Sequence, residues 1–281
     1  MSTRSILITG CSTGIGRCLA EGLHARGYRV FATARKVEDV DELNSIGLES
    51  LRCDLDDSVS IQQAVNAVLE RTGGELYALI NNGAWGQPGA VEDLSRDMLR
   101  KQFETNLFGT QELTNRVLPA MHKQGYGRII QISSILGITA MAYRGAYSAS
   151  KFALEGLSDT MRLELRDTNI HVVLIEPGPI VSNFRENAYA AFKANIDAEQ
   201  SIHRDRYRNM VKRFKGESGK APFTLPPEAV LVTTIKALEA SRPKIRYGVT
   251  LPTHAFSLLK RILPFRWLDA ILAAAGGDGK R

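Results

Sequence analysis

Three cysteines in 281 residues are too few for a disulfide framework. Cys11, Cys18 and Cys53 also lack the paired spacing of a zinc site. No metal is therefore expected, and a reducing, cytoplasmic setting is. No apolar run approaches the roughly 20 residues needed to cross a bilayer. The opening MSTRSILITG enters an apolar stretch at once, with no room for a charged segment and a cleavage site, so no signal peptide is expected. Linker composition, internal repeats and low-complexity segments are also missing, which leaves a single domain over residues 1–281. Acidic residues are outnumbered, giving a net charge of +6, and much of the excess sits in HRDRYRNMVKRFK, from His203 to Lys215. No nucleic-acid motif accompanies it, so it reads as a solvated, anion-tolerant face, and no nucleic-acid partner is expected.

What the chain does have is a 44% hydrophobic content, enough for a sizeable core, arranged in short apolar runs. SILITG (Ser5 to Gly10), YRVFATA (Tyr28 to Ala34), ESLRCD (Glu49 to Asp54) and LYALIN (Leu76 to Asn81) read as buried strands. GRIIQISS (Gly127 to Ser134), HVVLIEPG (His171 to Gly178) and KIRYGV (Lys244 to Val249) complete a set of about seven. Helical patterns such as IGRCLAEGLHARG and VSIQQAVNAVLERTG alternate with them, which predicts parallel βαβ units with helices on both faces. Two regions fit less well. Residues 183–225 are polar and basic with scattered aromatics, and residues 252–281 form an amphipathic tail.

Directly after the first run stands Thr9-Gly10-Cys11-Ser12-Thr13-Gly14-Ile15-Gly16, opening a helix. Glycines allow a sharp turn and close backbone approach, and a helix N-terminus favours a phosphate. The order strand, glycine turn, helix predicts a Rossmann-type α/β fold with a dinucleotide held by Gly10, Ser12, Thr13, Gly14, Ile15 and Gly16. At the end of the second strand a carboxylate would hold a ribose hydroxyl. The chain instead has Ala34-Arg35-Lys36, and an arginine there suits a 2′-phosphate. NADP(H) is thus expected in preference to NAD(H). Arg17 offers further charge, and both arginines also read as plain surface residues.

Tyr147 and Lys151 are four residues apart on one predicted helix face. An ammonium near a phenol lowers its pKa from about 10 and makes it a useful proton donor and acceptor. Ser134 stands at the end of the fifth predicted strand, where open parallel sheets bind ligands. Each residue alone has a plainer account, with Ser133 and Ser134 as turn residues, Asn106 as a helix-interior polar group, and Tyr143 or Tyr147 as packing.

Together the motifs TGCSTGIG, CDL (Cys53 to Leu55), NNGA (Asn81 to Ala84), Asn106, the Ser134–Tyr147–Lys151 set and PGPIVS (Pro177 to Ser182) resemble the short-chain dehydrogenase/reductase family. The resemblance runs from Ser5 to about Val249. It implies that Ser134 holds the substrate oxygen and Tyr147 exchanges its proton. It also implies that Lys151 holds the nicotinamide ribose and Asn106 supports a relay water. Asp54 and Leu55 would border the adenine, and Asn82 would approach its ribose. Ile180 and Ser182 would lie at the nicotinamide, Ser182 taking the carboxamide. The family usually reads Asn-Asn-Ala-Gly, whereas this chain has Asn81-Asn82-Gly83-Ala84, so a positive φ at position 84 would be hard to meet.

Trp85, Leu136, Ile138, Met141, Phe184, Tyr189 and Phe192 stand on the expected substrate loops, with Arg144 and Arg185 the few charges among them. A bulky apolar carbonyl or alcohol substrate is expected, such as a fatty or aromatic aldehyde, a retinoid or a steroid; the same side chains also read as loop packing. The resemblance implies a homodimer or homotetramer through the helices carrying Asn106 and Tyr147. Covering apolar surface within the protein or an oligomer is the expected role of the tail, ahead of a membrane surface. The rival reading is a non-catalytic NADP-binding sensor or scaffold, which has no need of Ser134, Tyr147 and Lys151 together.

Overall fold

The structure is a computed structural model that describes residues 4–214 and 222–276. Residues 215–221 of the expected substrate-loop region and 277–281 of the tail lie outside the described residues. The first half alternates β1 (Ser5–Ile8), α1 (Gly14–Ala25), β2 (Arg29–Ala34), α2 (Val37–Ser45), β3 (Glu49–Arg52), α3 (Ser58–Arg71) and β4 (Ala78–Asn81). After it come α4 (Arg96–Phe103), α5 (Thr110–Gln124), β5 (Gly127–Ile132), α6 (Gly145–Glu164) and β6 (Ile170–Glu176). The chain then runs through α7 (Phe184–Asn195), α8 (Arg204–Phe214), α9 (Glu228–Glu239), β7 (Arg246–Gly248), α10 (Leu251–Ile262) and α11 (Phe265–Gly276).

All pairings among the seven strands are parallel, in the order β3-β2-β1-β4-β5-β6-β7, which is the expected doubly wound sheet. The side-chain period of two splits each apolar strand between two cores. Ile6 and Ile8 of β1 pack with Leu19 and Leu23 of α1 and Val230 and Leu238 of α9. Leu7 between them faces the other way, into Ile61 and Val65 of α3, Leu113 and Val117 of α5, and Met161 of α6. The order reverses between β1 and β4, which opens a crevice at the C-terminal strand ends, the site where such sheets bind ligands.

The apolar runs overshoot the strands at that edge. β1, β3, β5 and β6 end two residues earlier than the sequence pattern, before Thr9-Gly10, Cys53-Asp54, Ser133-Ser134 and Pro177-Gly178. Those residues are buried or half-buried like a strand; Thr9, Cys53 and Ser133 still donate one backbone N–H to the neighbouring strand, after which the chain turns into the crevice. The region that broke the alternation holds α7 and α8, which cover a third, smaller core containing Leu94, Ala146, Phe192, Ile196, Tyr207 and Met210. Phe192 therefore packs α7 down rather than facing a substrate loop. In the tail, α10 lies against β7 and the turn after β5, with the Lys260 ammonium 4.8 Å from the centre of the Phe152 ring. Leu268 of α11 is buried, whereas Ile262, Phe265 and Trp267 are exposed. No helix among the described residues is long and apolar enough to cross a membrane.

α4 passes into α5 through one wider, π-type turn over residues 104–109, with no break in direction. The turn presses on the loop after β3, since a Cβ on Gly109 would stand 1.8 Å from the Leu55 carbonyl oxygen. This contact sets where Asn106 sits. The substitution Gly109→Ala is expected to destabilise the fold by about 2 kcal/mol or more, read as a lowered urea midpoint, because backbone rather than a flexible side chain blocks the methyl. A midpoint equal to that of the native protein would mean the turn is free to shift.

Candidate active site

The loop after β1 is shaped by two glycines. Gly10 and Gly14 adopt φ of +71° and +59°, a region that L side chains enter at a cost. A Cβ on Gly16 would lie 2.0 Å from the Gly10 carbonyl oxygen, so the first turn of α1 closes directly onto the loop. Thr13 is the N-cap of α1 but makes no side-chain capping bond, and the first turn holds no acidic residue. By contrast, Asp57 caps α3 and Ser95 caps α4 with their own side chains. The N-terminus of α1 thus keeps its backbone donors and its partial positive charge for an anion. A dinucleotide pyrophosphate fits this chemistry. Gly10, Thr13, Gly14 and Gly16 are drawn together as expected, with Ser182 opposite, 3.1 Å from the Cβ position of Gly14. Ser12 and Ile15 belong to the same turn, and Ile180 pairs with Leu225 beyond it while packing on the core.

The loop after β4 is locked to the glycine loop. Thr9 Oγ1 accepts from the backbone N–H groups of Asn82 and Gly83, at 3.0 and 2.9 Å. The Asn82 side chain donates to the carbonyls of Thr9 and Gly10, at 2.9 and 3.1 Å. Asn82 therefore acts on the loop, whatever it adds at a ribose. Neither Gly83 nor Ala84 has a positive φ, so the exchanged pair carries no backbone strain. What position 83 requires is smallness, because a Cβ there would sit 3.0 Å from Leu55 and 3.3 Å from Thr9 Oγ1.

Arg35 and Arg17 part company. Arg17 is paired with Glu21 and Glu42, so its charge is already taken up. Arg35 is exposed at the end of β2, and among the described residues its guanidinium makes no ion pair. Asp54 is half-buried and accepts from the Asp56 N–H, while Leu55 stands between Gly83 and Gly109.

The second constellation gathers at the start of α6. Asn106 is 1% exposed and fully engaged: Oδ1 accepts from Trp85 N at 3.1 Å, and Nδ2 donates to Trp85 O and to Ser150 Oγ. Ser150 in turn donates to the Tyr147 carbonyl at 2.8 Å. Asn106 lies inside the helical turn over residues 104–109, as the plainer account has it, and there it ties the β4 loop to the helix that carries Tyr147. The Trp85 indole donates to Thr105, which anchors the loop and turns that N–H away from a substrate role. Ser150 went unnoticed in the sequence, although it lies within the Tyr147–Lys151 interval, one helical turn from Tyr147.

Tyr147, Ser134 and Lys151 are all buried. Burial pushes the Tyr147 phenol up to about 12, and the neighbouring Ser134 hydroxyl opposes this. The Lys151 ammonium donates to the Ile132 carbonyl at 2.7 Å and lies 5.9 Å from the centre of the Tyr147 ring. Desolvation brings Lys151 down to about 8, against the pull of Glu155 one turn along. The ammonium is held on that carbonyl beside the ring, and burial leaves the phenol protonated at neutral pH. The Phe184 ring meets Tyr147 edge to face at 5.2 Å and closes over Gly86, where a Cβ would come within 2.7 Å of it. The set supplies a buried proton donor, a hydroxyl beside it and an apolar cover.

The comparisons agree with this geometry. The family model described as short chain dehydrogenase matches residues 4–193. "Uncharacterized oxidoreductase YbbO" of Escherichia coli is 42% identical over 96% of this chain and 94% of its own length. Retinol dehydrogenase 8 of Bos taurus is 31% identical over 86% of this chain and 80% of its own. The crystal structure of an actinorhodin polyketide ketoreductase variant with NADPH superposes with a TM-score of 0.72 at 28% identity, over 88% of this chain and 95% of that one. With the seven parallel strands, the glycine loop and the Ser134–Tyr147–Lys151 set on one sheet edge, the chain belongs to the short-chain dehydrogenase family of nicotinamide-dependent oxidoreductases.

Proposed function

We propose that this chain is an NADP(H)-dependent oxidoreductase that interconverts a carbonyl and an alcohol on a bulky apolar substrate, with Tyr147 as its acid and base. The observation that carries the reading is the buried Tyr147 phenol, kept protonated beside Ser134 under the Phe184 ring. The cofactor supplies or accepts the hydride. The protein does the rest. Ser134 and Tyr147 offer donors to the substrate oxygen and stabilise negative charge developing there. As the oxygen gains charge, the Tyr147 proton moves to it, and the phenolate left behind is stabilised by the nearby Lys151 ammonium. Phe184 excludes water from this transfer. Asn106, through Ser150 and Trp85, holds the start of α6 and the β4 loop at a fixed separation.

The preference for NADP(H) rests on Arg35, whose guanidinium is uncommitted at the end of β2, where a 2′-phosphate would lie. Cytoplasmic placement accords with three free cysteines, two of them buried. A homodimer or homotetramer is supported by the exposed large apolar side chains Phe108, just before α5, and Phe152 and Leu157 on α6. The sensor or scaffold reading leaves the buried phenol, serine and ammonium without a task.

Three measurements test these readings. With NADPH and NADH offered separately against aldehydes, ketones and steroids, absorbance should fall with NADPH and a bulky carbonyl compound, and Tyr147→Phe should lose roughly 100-fold or more. NADPH binding without turnover across the panel would favour the sensor, and a preference for NADH would defeat the Arg35 argument. In the pH profile of reduction, kcat/KM should hold between pH 6 and 7 and fall above about 8. There Lys151 loses its proton while Tyr147, near 12, keeps its own. A rise from pH 7 to 9 would remove Lys151 from this role. Sedimentation equilibrium should give two or four protomer masses, and a monomer at micromolar concentration would overturn the assembly.

A further inference from the structure

The apolar stripe of α10 faces away from the body. Thr253 is buried and Phe256 and Leu259 are half-buried, so one side of the helix meets the protein. At about 100° per residue, Leu251, Leu258 and Ile262 line up on the side opposite Thr253, and each is at least 60% exposed. Beyond the turn at Pro264, α11 packs on α10 and buries Leu268, but leaves Phe265, Trp267 and Ile271 exposed. The charge of this stretch has one sign. Between Ala240 and Leu268 stand Arg242, Lys244, Arg246, Lys260, Arg261 and Arg266, with no aspartate or glutamate. His254 of α10, whose ring would stand 2.9 Å from a Cβ on Gly248, borders a groove of about 650 Å³ that also holds Lys236, Arg242 and Lys244. The acid of that groove, Glu239, is paired with Arg26, and its Arg246 with Glu155 and Asp159. Lys236, Arg242 and Lys244 are exposed and make no ion pair among the described residues.

We propose that α10 and α11 form a docking face for an anionic lipid bilayer, with the apolar stripe entering the headgroup region and the cations of the groove beside it meeting lipid phosphates. Helices that lie on membranes combine leucine, phenylalanine and tryptophan on one side with lysine and arginine around them. Tryptophan suits the boundary, since its ring is apolar and its indole N–H polar. No helix among the described residues is long and apolar enough to span, so the contact is peripheral. A second copy of the chain is the poorer cover. Two-fold pairing on this face would set a cationic surface against itself, whereas anionic lipid supplies the missing sign. The tail's sequence alone favours protein over lipid as the cover; an outward stripe in a stretch without acids reverses that order. α10 also leans on the turn that follows Ser134, so docking brings the site near the bilayer in which an apolar carbonyl compound dissolves. That consequence rests on the proposed reaction, and the docking itself does not.

Flotation of the full chain with vesicles tests the face. Vesicles of phosphatidylcholine alone are compared with vesicles of phosphatidylcholine and phosphatidylglycerol at three to one. The chain should float with the anionic vesicles and be released as salt rises. Leu258→Gln with Ile262→Gln, and separately Phe265→Gln with Trp267→Gln, should each cut the partition coefficient roughly tenfold or more. Because all four positions are exposed, the thermal midpoint should stay where it is. Replacing Lys236, Arg242 and Lys244 by glutamine should cost roughly fivefold per charge, on anionic vesicles only. Brominated acyl chains should quench Trp267 emission, and the quenching should vanish in Trp267→Phe, which still floats. No flotation with anionic vesicles, or flotation that the stripe variants retain in full, would overturn the proposal. So would a fall in protomer number in the stripe variants, measured by sedimentation without lipid, which would assign the face to a second copy.

Discussion

The hydrogen bonds between Thr9 and Asn82 are the constraint on which the site depends. They join the loops leaving β1 and β4, the two strands between which the sheet reverses its winding. Without a tie across it, the crevice would expose several backbone donors and acceptors to no fixed partner. With it, the glycine loop is held against the sheet, and the first turn of α1 is left uncapped and aimed outwards. A loop clamped to its neighbour loses little freedom when a phosphate arrives, which is what preorganisation means in energetic terms. The same tie fixes the entry to the β4 loop, and Asn106 fixes its exit.

From there the constraint passes to the proton donor. Asn106 reaches Ser150, Ser150 reaches the Tyr147 carbonyl, and Lys151 reaches back to the Ile132 carbonyl at the end of β5. Two of these bonds hold the first turns of α6 in place, one through Asn106 to the β4 loop and one from Lys151 to the end of β5, where orientation matters more than affinity. The electrostatic cost falls on the two titratable groups. Burial raises the phenol and lowers the ammonium, and it does so because their surroundings exclude water. Glu155 lies one turn beyond Lys151 and counters part of that cost, although it is buried and raised itself, with Arg246 in contact. The phenol and the ammonium thus stand on one short segment of α6 whose neighbours hold it by hydrogen bonds as well as by packing.

Much of this was legible in the sequence, and the errors have a common cause. Strand count, order of elements, the glycine turn and the Ser134–Tyr147–Lys151 set all follow from local patterns, because period, turn chemistry and helical spacing act over a few residues. The strand ends were misplaced because burial, not pairing, makes a run apolar. Thr9 and Ser133 are buried in a crevice wall and look like ladder residues. The Gly83-Ala84 exchange looked like a problem of φ when the demand was one of space, which only Leu55 and Thr9 in three dimensions reveal. The direction of the Lys151 ammonium was not legible at all, since its acceptor is a main-chain carbonyl 19 positions away.

The same limit explains why the basic run from His203 read as a plain solvated face. Along the chain, Arg213 belongs to a helix with strong segregation of charge, and Arg144 and Arg185 are 41 positions apart. Folding places α7 and α8 over the start of α6, where Tyr207 donates to Asp93 and packs on Phe192, fixing the cover to the body. Once that cover is anchored, the Arg144 guanidinium lies against Met210 and Phe214. Positions that break a local rule in an otherwise consistent fold tend to be the ones function has shaped. Here three exceptions converge: an uncapped helix start, a buried phenol beside a buried ammonium, and a left-handed tyrosine. All three lie on the C-terminal side of one sheet, the side on which open parallel sheets bind their ligands.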